Sequence, residues 1–254
     1  MICSLLGVER KNRVALLEVQ NLTKSFGGLM AVKDLSFSID EGEIVGIIGP
    51  NGAGKTTSFS LITGFTVPDR GSIFFRNQPI HGKNPEEICR RGIFRTFQSA
   101  QSFPELTVKE NVLIAAMLHQ TSLKLAEKEA EQILAKMGMM EKQGIRTKHL
   151  TIPEKKRLEL TKGLATHPRL MLLDEVMAGL IPTEIDQSIQ IISQLRAEGM
   201  AFVIIEHVMK IIMSISDRVI VLHHGEKIAE GAPKEVSNMP NVIEAYLGED
   251  VLFA

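Results

Sequence analysis

The sequence predicts an α/β fold: a core of buried strands and helices with an antiparallel β part at its start and a helical region inserted between its halves. Three observations predict it. Two runs near the start, "ALLEVQNLTKSF" and "AVKDLSFSIDEGE", alternate apolar and polar residues and are separated by turn residues. Later, short continuous apolar runs such as "EIVGIIG", "RLMLLDE" and "AFVIIEH" read as strands buried on both faces. Between the first of these and the second, from about Leu106 to Gly163, the patterning is almost wholly helical.

Taken in order, the two alternating runs are expected to pair as antiparallel strands. "EIVGIIG" then runs into a glycine-rich loop, and "KTTSFSLITGF" continues as a helix. "GSIFFRNQPI", flanked by Gly71 and Pro79, reads as one further strand. "NPEEICRRG" is a helix opening on Asn84 with Pro85 in its first turn. "SLKLAEKEAEQILAKMGMM" is rich in Ala, Leu, Glu and Lys at helical spacing, with its methionines as core filler. Strands return as "RLMLLDE", "AFVIIEH" and "RVIVLHHGEKIAEG", separated by the helical "PTEIDQSIQIISQLRAEG" and "VMKIIMSIS". No internal repeat or low-complexity segment interrupts this order. The expected organisation is a single domain over 14–254. Residues 14–98 and 164–230 form the α/β core with its β part, 99–163 the helical part, and 231–254 a C-terminal helical tail. Residues 1–13 precede the domain as an extension.

Composition narrows the classes. The 254 residues are 44% hydrophobic and 23% charged, as in an ordinary globular protein. Lys plus Arg (29) nearly balance Asp plus Glu (30), so no bulk field recruits nucleic acid or acidic lipid. Cys3 and Cys89 are far apart, with no C-x-x-C and no histidine cluster, which argues against a disulfide framework or zinc site and for a reducing cytosol. Cys89 is expected to be a half-buried helix residue. The opening "MICSLLGVERKNR" places its charges after a short apolar run, the reverse of a secretory signal. The apolar runs are too short to span a bilayer, which takes ~20 residues. A membrane process would be served from outside, as a subunit.

The chemistry is concentrated in a few stretches. "GPNGAGKTT" fits G-x-x-x-x-G-K-[ST] from Gly49 to Thr56. Its glycines permit a tight loop whose backbone N–H groups converge on phosphate oxygens, and the following helix adds its positive end. Lys55 would reach the β- and γ-phosphates, and the Thr56 hydroxyl would hold Mg²⁺. Because the loop follows a strand and opens a helix, a chance glycine loop is disfavoured. "LMLLDE" ends a buried strand in two acids. Asp174 would orient the magnesium through its water and Glu175 would polarise the attacking water, which favours hydrolysis over nucleotide storage. His207, ending "VIIEH", stands where a side chain could reach a γ-phosphate; alone, such a histidine is usually structural. Gln98, ending "RTFQ" at the start of the helical insertion, could touch both metal and hinge. Phe26, in "KSFGG", either stacks on adenine or packs in the core.

In their order, these motifs resemble the ATP-binding subunit of ABC transporters, a P-loop NTPase (ABC ATPase) fold, across nearly the whole chain. "GIFRTFQ", "FPELTVKENVLIAA", "AGLIPTE", "IIEHV", "GEKIAEGAPKEV" and "AYLGED" look like the type serving branched-chain amino-acid uptake; the lipopolysaccharide-export ATPase has similar ends. The resemblance implies a peripheral ATPase at the cytoplasmic face of the cell membrane, using ATP and Mg²⁺ beneath transmembrane permease subunits. A second ATPase subunit and, indirectly, a periplasmic or extracellular binding protein follow from it. Carried over by position, the phosphate loop comprises Gly49, Asn51, Gly52, Ala53, Gly54, Lys55, Thr56 and Thr57. Phe26 becomes the adenine aromatic and Gln98 the metal-sensing glutamine. Asp174, Glu175 and His207 match the Walker B aspartate, catalytic glutamate and switch histidine. "AGLIP" takes the place of the loop that crosses the dimer interface, with Val176 and Ile181 where the family usually has Pro and Asn.

One stretch departs further. In the family each ATP is sandwiched against a Leu-Ser-Gly-Gly-Gln signature from the other subunit, and here those positions read Leu150, Thr151, Ile152, Pro153 and Glu154. Thr151 keeps a hydroxyl for the γ-phosphate. Pro153 has no N–H to donate, and Glu154 sets a carboxylate where a neutral amide stood. Thr151 with Glu154 still forms a capping box, with proline comfortable in the first turn. The expectation is an asymmetric heterodimer with one good and one poor hydrolysis site; a homodimer would have two weakened sites. Two other classes compete: a non-transport ABC ATPase of DNA repair or translation, and a nucleotide-dependent regulatory module. The former commonly needs long coiled-coil insertions or two fused ATPase domains, and the sequence shows neither.

Overall fold

A computed structural model describes residues 15–98 and 101–247. The 1–13 extension, Cys3 and the end of the tail lie outside the described residues.

The opening runs form β1 (Leu17–Phe26) and β2 (Leu29–Ile39), antiparallel as expected, with β4 (Arg70–Phe75) against the other edge of β1. "GSIFFRNQPI" is not one strand but a hairpin, β4 turning at Arg76–Asn77 into the two-residue β5 (Gln78–Pro79). Both turn residues take positive φ, 49° and 61°, the type I′ geometry whose twist suits a two-residue hairpin. "RVIVLHHGEKIAEG" folds back likewise, as β9 (Arg218–His223) and β10 (Glu226–Gly231) around His224 and Gly225, both at positive φ. In both cases the turn is two residues long, and its polar residues pass for the solvent-facing positions of a single strand.

The second sheet has the order β10-β9-β3-β8-β7-β6. Its β3 (Ile44–Ile48), β7 (Leu170–Asp174) and β8 (Ala201–Ile205) are buried along their whole length and pair in parallel. Alternate side chains of these strands serve two cores. Ile44, Ile48, Met171, Leu173, Phe202 and Ile204 pack with the helices, while Val45, Ile47, Leu170, Leu172, Val203 and Ile205 pack with the antiparallel sheet. A strand buried on both faces has no polar side to display, so its sequence reads as a continuous apolar run. The edge strand β6 (Ile93–Arg95) was not anticipated; three residues are too few for periodicity to register.

Of the helices, α1 (Lys55–Ile62) follows the glycine-rich loop and packs on the antiparallel side. Helix α2 (Pro85–Arg90) opens on Asn84, whose side chain accepts the Glu87 N–H in a capping box; Cys89 is half-buried there, and burial pushes its thiol pKa up. Between β6 and β7 the described chain holds α3 (Val108–Ala116), α4 (Leu123–Lys136), two 3₁₀ turns and α5 (Ile152–Leu164). Helix α5 approaches the sheet closely at Gly163, where an added Cβ would lie 2.6 Å from Met171 and from the Phe94 ring. Then come α6 (Pro182–Ala197) and α7 (Met209–Ile215), with α8 (Pro233–Val236) and α9 (Pro240–Leu247) closing the described chain.

Candidate nucleotide site

The loop leaving β3 wraps around its own lysine. Gly49 and Gly54 have φ of 148° and 100°, and a Cβ at either would meet backbone carbonyls, Leu222 O at 2.1 Å and Ala31 O at 2.4 Å. Only glycine fits this coil. Lys55 is buried, and its Nζ donates to the carbonyls of Gly49 (2.6 Å) and Pro50 (2.9 Å). A cavity of about 300 Å³ opens above the loop. Asn51, Gly52, Ala53, Gly54, Lys55, Thr56 and Thr57 line one wall, with the N-terminal end of α1 pointing into it. Phe26, at the end of β1 and half exposed, lines the mouth with Lys24 Nζ 5.5 Å from its ring centroid. It is therefore outside the cores, the alternative left open by the sequence.

Gln98, Glu175 and His207 line the opposite wall. Gln98 Nε2 donates to Glu175 Oε1 at 2.9 Å, and His207 Nε2 lies 2.6 Å from the same oxygen. Two side chains from different strand ends thus converge on one oxygen of Glu175. Glu175 itself has φ 53°, a left-handed conformation costly for a residue with a Cβ. Such strain persists only where the surrounding structure holds it.

Asp174 sits one residue earlier, at the buried end of β7. Arg95 donates to its Oδ2 at 2.9 Å, and its backbone N–H donates to Thr96 Oγ1 at 2.9 Å. Its Oδ1 is buried and has no hydrogen-bond partner in the structure. Burial raises the carboxyl pKa and the Arg95 guanidinium opposes that rise. A buried carboxylate oxygen without a partner next to a phosphate loop is what a magnesium-orienting aspartate requires.

Three charged neighbours escaped the sequence reading: Arg95, Lys156 and Glu206. Arg95 lay in the quoted "RTFQ", but its role depends on β6 pairing with β7. Glu206 was signalled only by being a carboxyl at the end of an apolar strand. It is buried, accepts the Met177 N–H at 2.7 Å, and its pKa is pushed up to about 7 by burial.

Thr151 does not line this cavity. It caps α5, where its N–H donates to Glu154 Oε2 at 2.8 Å while Lys142 pairs with Oε1 at 2.9 Å. These two contacts, the Thr151 N–H foremost, lower the Glu154 pKa and keep the carboxylate ionised. Ile152 beside it is exposed.

A glycine loop between strand and helix, facing an acidic strand end across a cavity, defines a P-loop nucleotide-binding protein. Comparison with known proteins narrows this. Residues 32–178 match the family described as ABC transporter, and residues 226–251 match the branched-chain amino acid ATP-binding cassette transporter C-terminal region. The high-affinity branched-chain amino acid transport ATP-binding protein LivG of Salmonella typhimurium is 39% identical, over 92% of this chain and 98% of its own. BraF of Pseudomonas aeruginosa, a protein of the same description, is also 39% identical with the same coverage. A nucleotide-free ATP-binding cassette from an ABC transporter superposes with a TM-score of 0.85 at 32% identity, covering 93% of this chain and all of that one. The chain belongs to the ATP-binding cassette family of ABC transporters, and it is an ATPase of that class. Among the described residues, no helix is long and apolar enough to cross a membrane.

Proposed function

We propose that this chain binds and hydrolyses Mg-ATP to energise uptake of branched-chain or similar hydrophobic amino acids through separate permease subunits. The observation that carries the hydrolytic part is the convergence of Gln98 and His207 on one oxygen of Glu175, across a cavity from the phosphate loop. In this reading Phe26 stacks on the adenine, and the loop N–H groups with Lys55 hold the phosphates. Thr56, Gln98 and Asp174 would hold Mg²⁺, which when bound would neutralise phosphate charge. Glu175 polarises the attacking water, and His207, already within reach of Glu175, turns to the γ-phosphate. Gln98 stands at the junction of the core with residues 99–163, so its contact to Glu175 links the site to the helical part.

A second surface supports the permease assignment. An apolar groove of about 510 Å³ shares no residue with the phosphate cavity and is lined by Phe65, Phe97, Ile114, Met117 and Leu118 among others. Phe65, Ile114 and Met117 are each about half exposed, which a partner helix would cover. The transport step places the protein at the cytoplasmic face of the membrane, with the extracellular or periplasmic binding protein reached through the permeases.

The partner ATPase is expected to differ from this chain. Thr151 is the remaining signature hydroxyl, next to Pro153, which has no N–H, and Glu154, which is ionised. Losing one preorganised donor costs roughly 10²- to 10³-fold in rate in another enzyme class, and an added anion acts in the same direction. The phosphate loop, Glu175 and His207 of this chain would be completed by the partner's signature, while its own signature would serve the partner's ATP poorly. The test is turnover by the reconstituted complex. Glu175→Gln is expected to abolish most hydrolysis while leaving ATP binding intact; unchanged hydrolysis would sink the reading. Brisk turnover by this chain alone would count against the role given to Pro153.

A further inference from the structure

The loop that follows Glu175 is gripped from two sides by residues outside it. From α5, Lys156 Nζ donates to the carbonyls of Glu175 (3.2 Å) and Ala178 (2.5 Å). From the end of β8, Glu206 Oε1 accepts the N–H of Met177 at 2.7 Å. Glu175 N–H is in turn fixed to Ile205 O at 2.9 Å, so the left-handed residue is held on each side of its peptide. Val176 and Met177 are buried, while Ala178 and Gly179 are exposed.

We propose that Lys156 and Glu206 are positioning residues that fix the Glu175–Ala178 backbone, and through it the aim of the Glu175 carboxylate. The inference rests on the reading of Glu175 as the group that polarises water. The two residues come from different elements, α5 and the strand that carries His207, and bind successive peptide groups of one loop. A left-handed residue persists only where its surroundings hold it; Gln98 and His207 hold the Glu175 carboxylate, and Lys156 and Glu206 hold the backbone that carries it. The charges are costly to bury. Glu206 faces Lys156, Glu175 and His207, and burial raises its pKa; Lys156 faces Glu206 and Glu175, and burial lowers its pKa. Apolar residues of similar volume would do as well for stability alone. What they would not supply is an acceptor for Met177 N–H and a donor for two carbonyls.

The experiment compares Lys156→Met, Lys156→Arg, Glu206→Met and Glu206→Gln with the parent. Amide exchange is read in the isolated full-length chain and turnover in the assembled transporter. In Lys156→Met and Glu206→Met, exchange across 175–181 is expected to rise at least tenfold while β3 and β8 stay unchanged. In the complex, kcat is expected to fall three- to tenfold with KM for ATP within twofold. Lys156→Arg, with several donors on one head, and Glu206→Gln, which keeps a carbonyl acceptor for Met177 N–H, are expected to restore both. Binding of a fluorescent ATP analogue confirms that each variant is folded. Exchange within twofold of the parent in either methionine variant, or a kcat loss that only follows ATP affinity, overturns the proposal. Raised exchange together with turnover indifferent to Glu175→Gln would leave the clamp standing and remove the reading of Glu175.

Discussion

Arg95 donates a 2.9 Å hydrogen bond to Asp174 across 79 residues of sequence, and both side chains are almost fully buried. The bond crosses from β6 to the end of β7 and engages one carboxylate oxygen, leaving the other without a partner. Breaking such a pair from one side leaves an uncompensated charge in the core. Arg95→Met is therefore expected to lower unfolding free energy by about 3 kcal/mol, read from the urea midpoint. The double variant Arg95→Met, Asp174→Leu should recover most of that loss. A double variant no more stable than the single one would refute the account.

Lys55 already has its ammonium on two carbonyls of its own loop, so nucleotide binding exchanges those bonds rather than creating a new order. Charged hydrogen bonds contribute about 1.5–3 kcal/mol. Lys55→Ala is expected to weaken ATP binding by roughly 10- to 100-fold, measured by titration calorimetry. An unchanged dissociation constant would mean that the loop's N–H groups alone hold the phosphates.

Glu206 makes stability depend on pH with an unusual sign. Its folded pKa, about 7, lies above the ordinary 4.5, so the folded state holds the proton more tightly than the unfolded chain. The protonated form costs nothing below pH 4.5; the penalty of ionising a buried group grows as pH rises from there and is complete above about 7. Its full size is on the order of 3 kcal/mol. Glu206→Gln should thus raise the thermal midpoint more at pH 8 than at pH 5.5, by about 2–4 °C per kcal/mol for a chain of this size. A pH-independent difference would show that Glu206 stays charged throughout.

The apolar groove makes a separable prediction. Ile114→Asp places a charge on an exposed helical position, so folding and ATP binding are expected to hold, the latter within twofold. Co-purification with the permease subunits is expected to be lost. Retention of the complex would move the docking surface elsewhere.

The sequence alone determined the parts whose pattern is local. "GPNGAGKTT" specified its loop because glycine φ values and one lysine are set within a few residues, and "LMLLDE" and "VIIEH" announced buried strands ending in polar groups. The capping boxes at Asn84 and Thr151 were equally local, each closing over three residues. The two hairpins were lost because polar residues in a two-residue turn pass for the solvent-facing positions of one strand, and β6 because periodicity does not resolve three residues.

Only the tertiary structure decided which charges meet. Phe26 was left between adenine platform and core until the end of β1 was placed at the cavity mouth. Gln98, Glu175 and His207 come together because three strand ends lie side by side in the sheet order β3-β8-β7-β6. The same adjacency brings Arg95 to Asp174, and the packing of α5 beside it brings Lys156 to the Glu175 carbonyl. Strand order carries no local sequence signal, because it is set by which buried faces share a core. The residues proposed to do the chemistry could be read from the chain, whereas those proposed to hold them in place follow from the sheet.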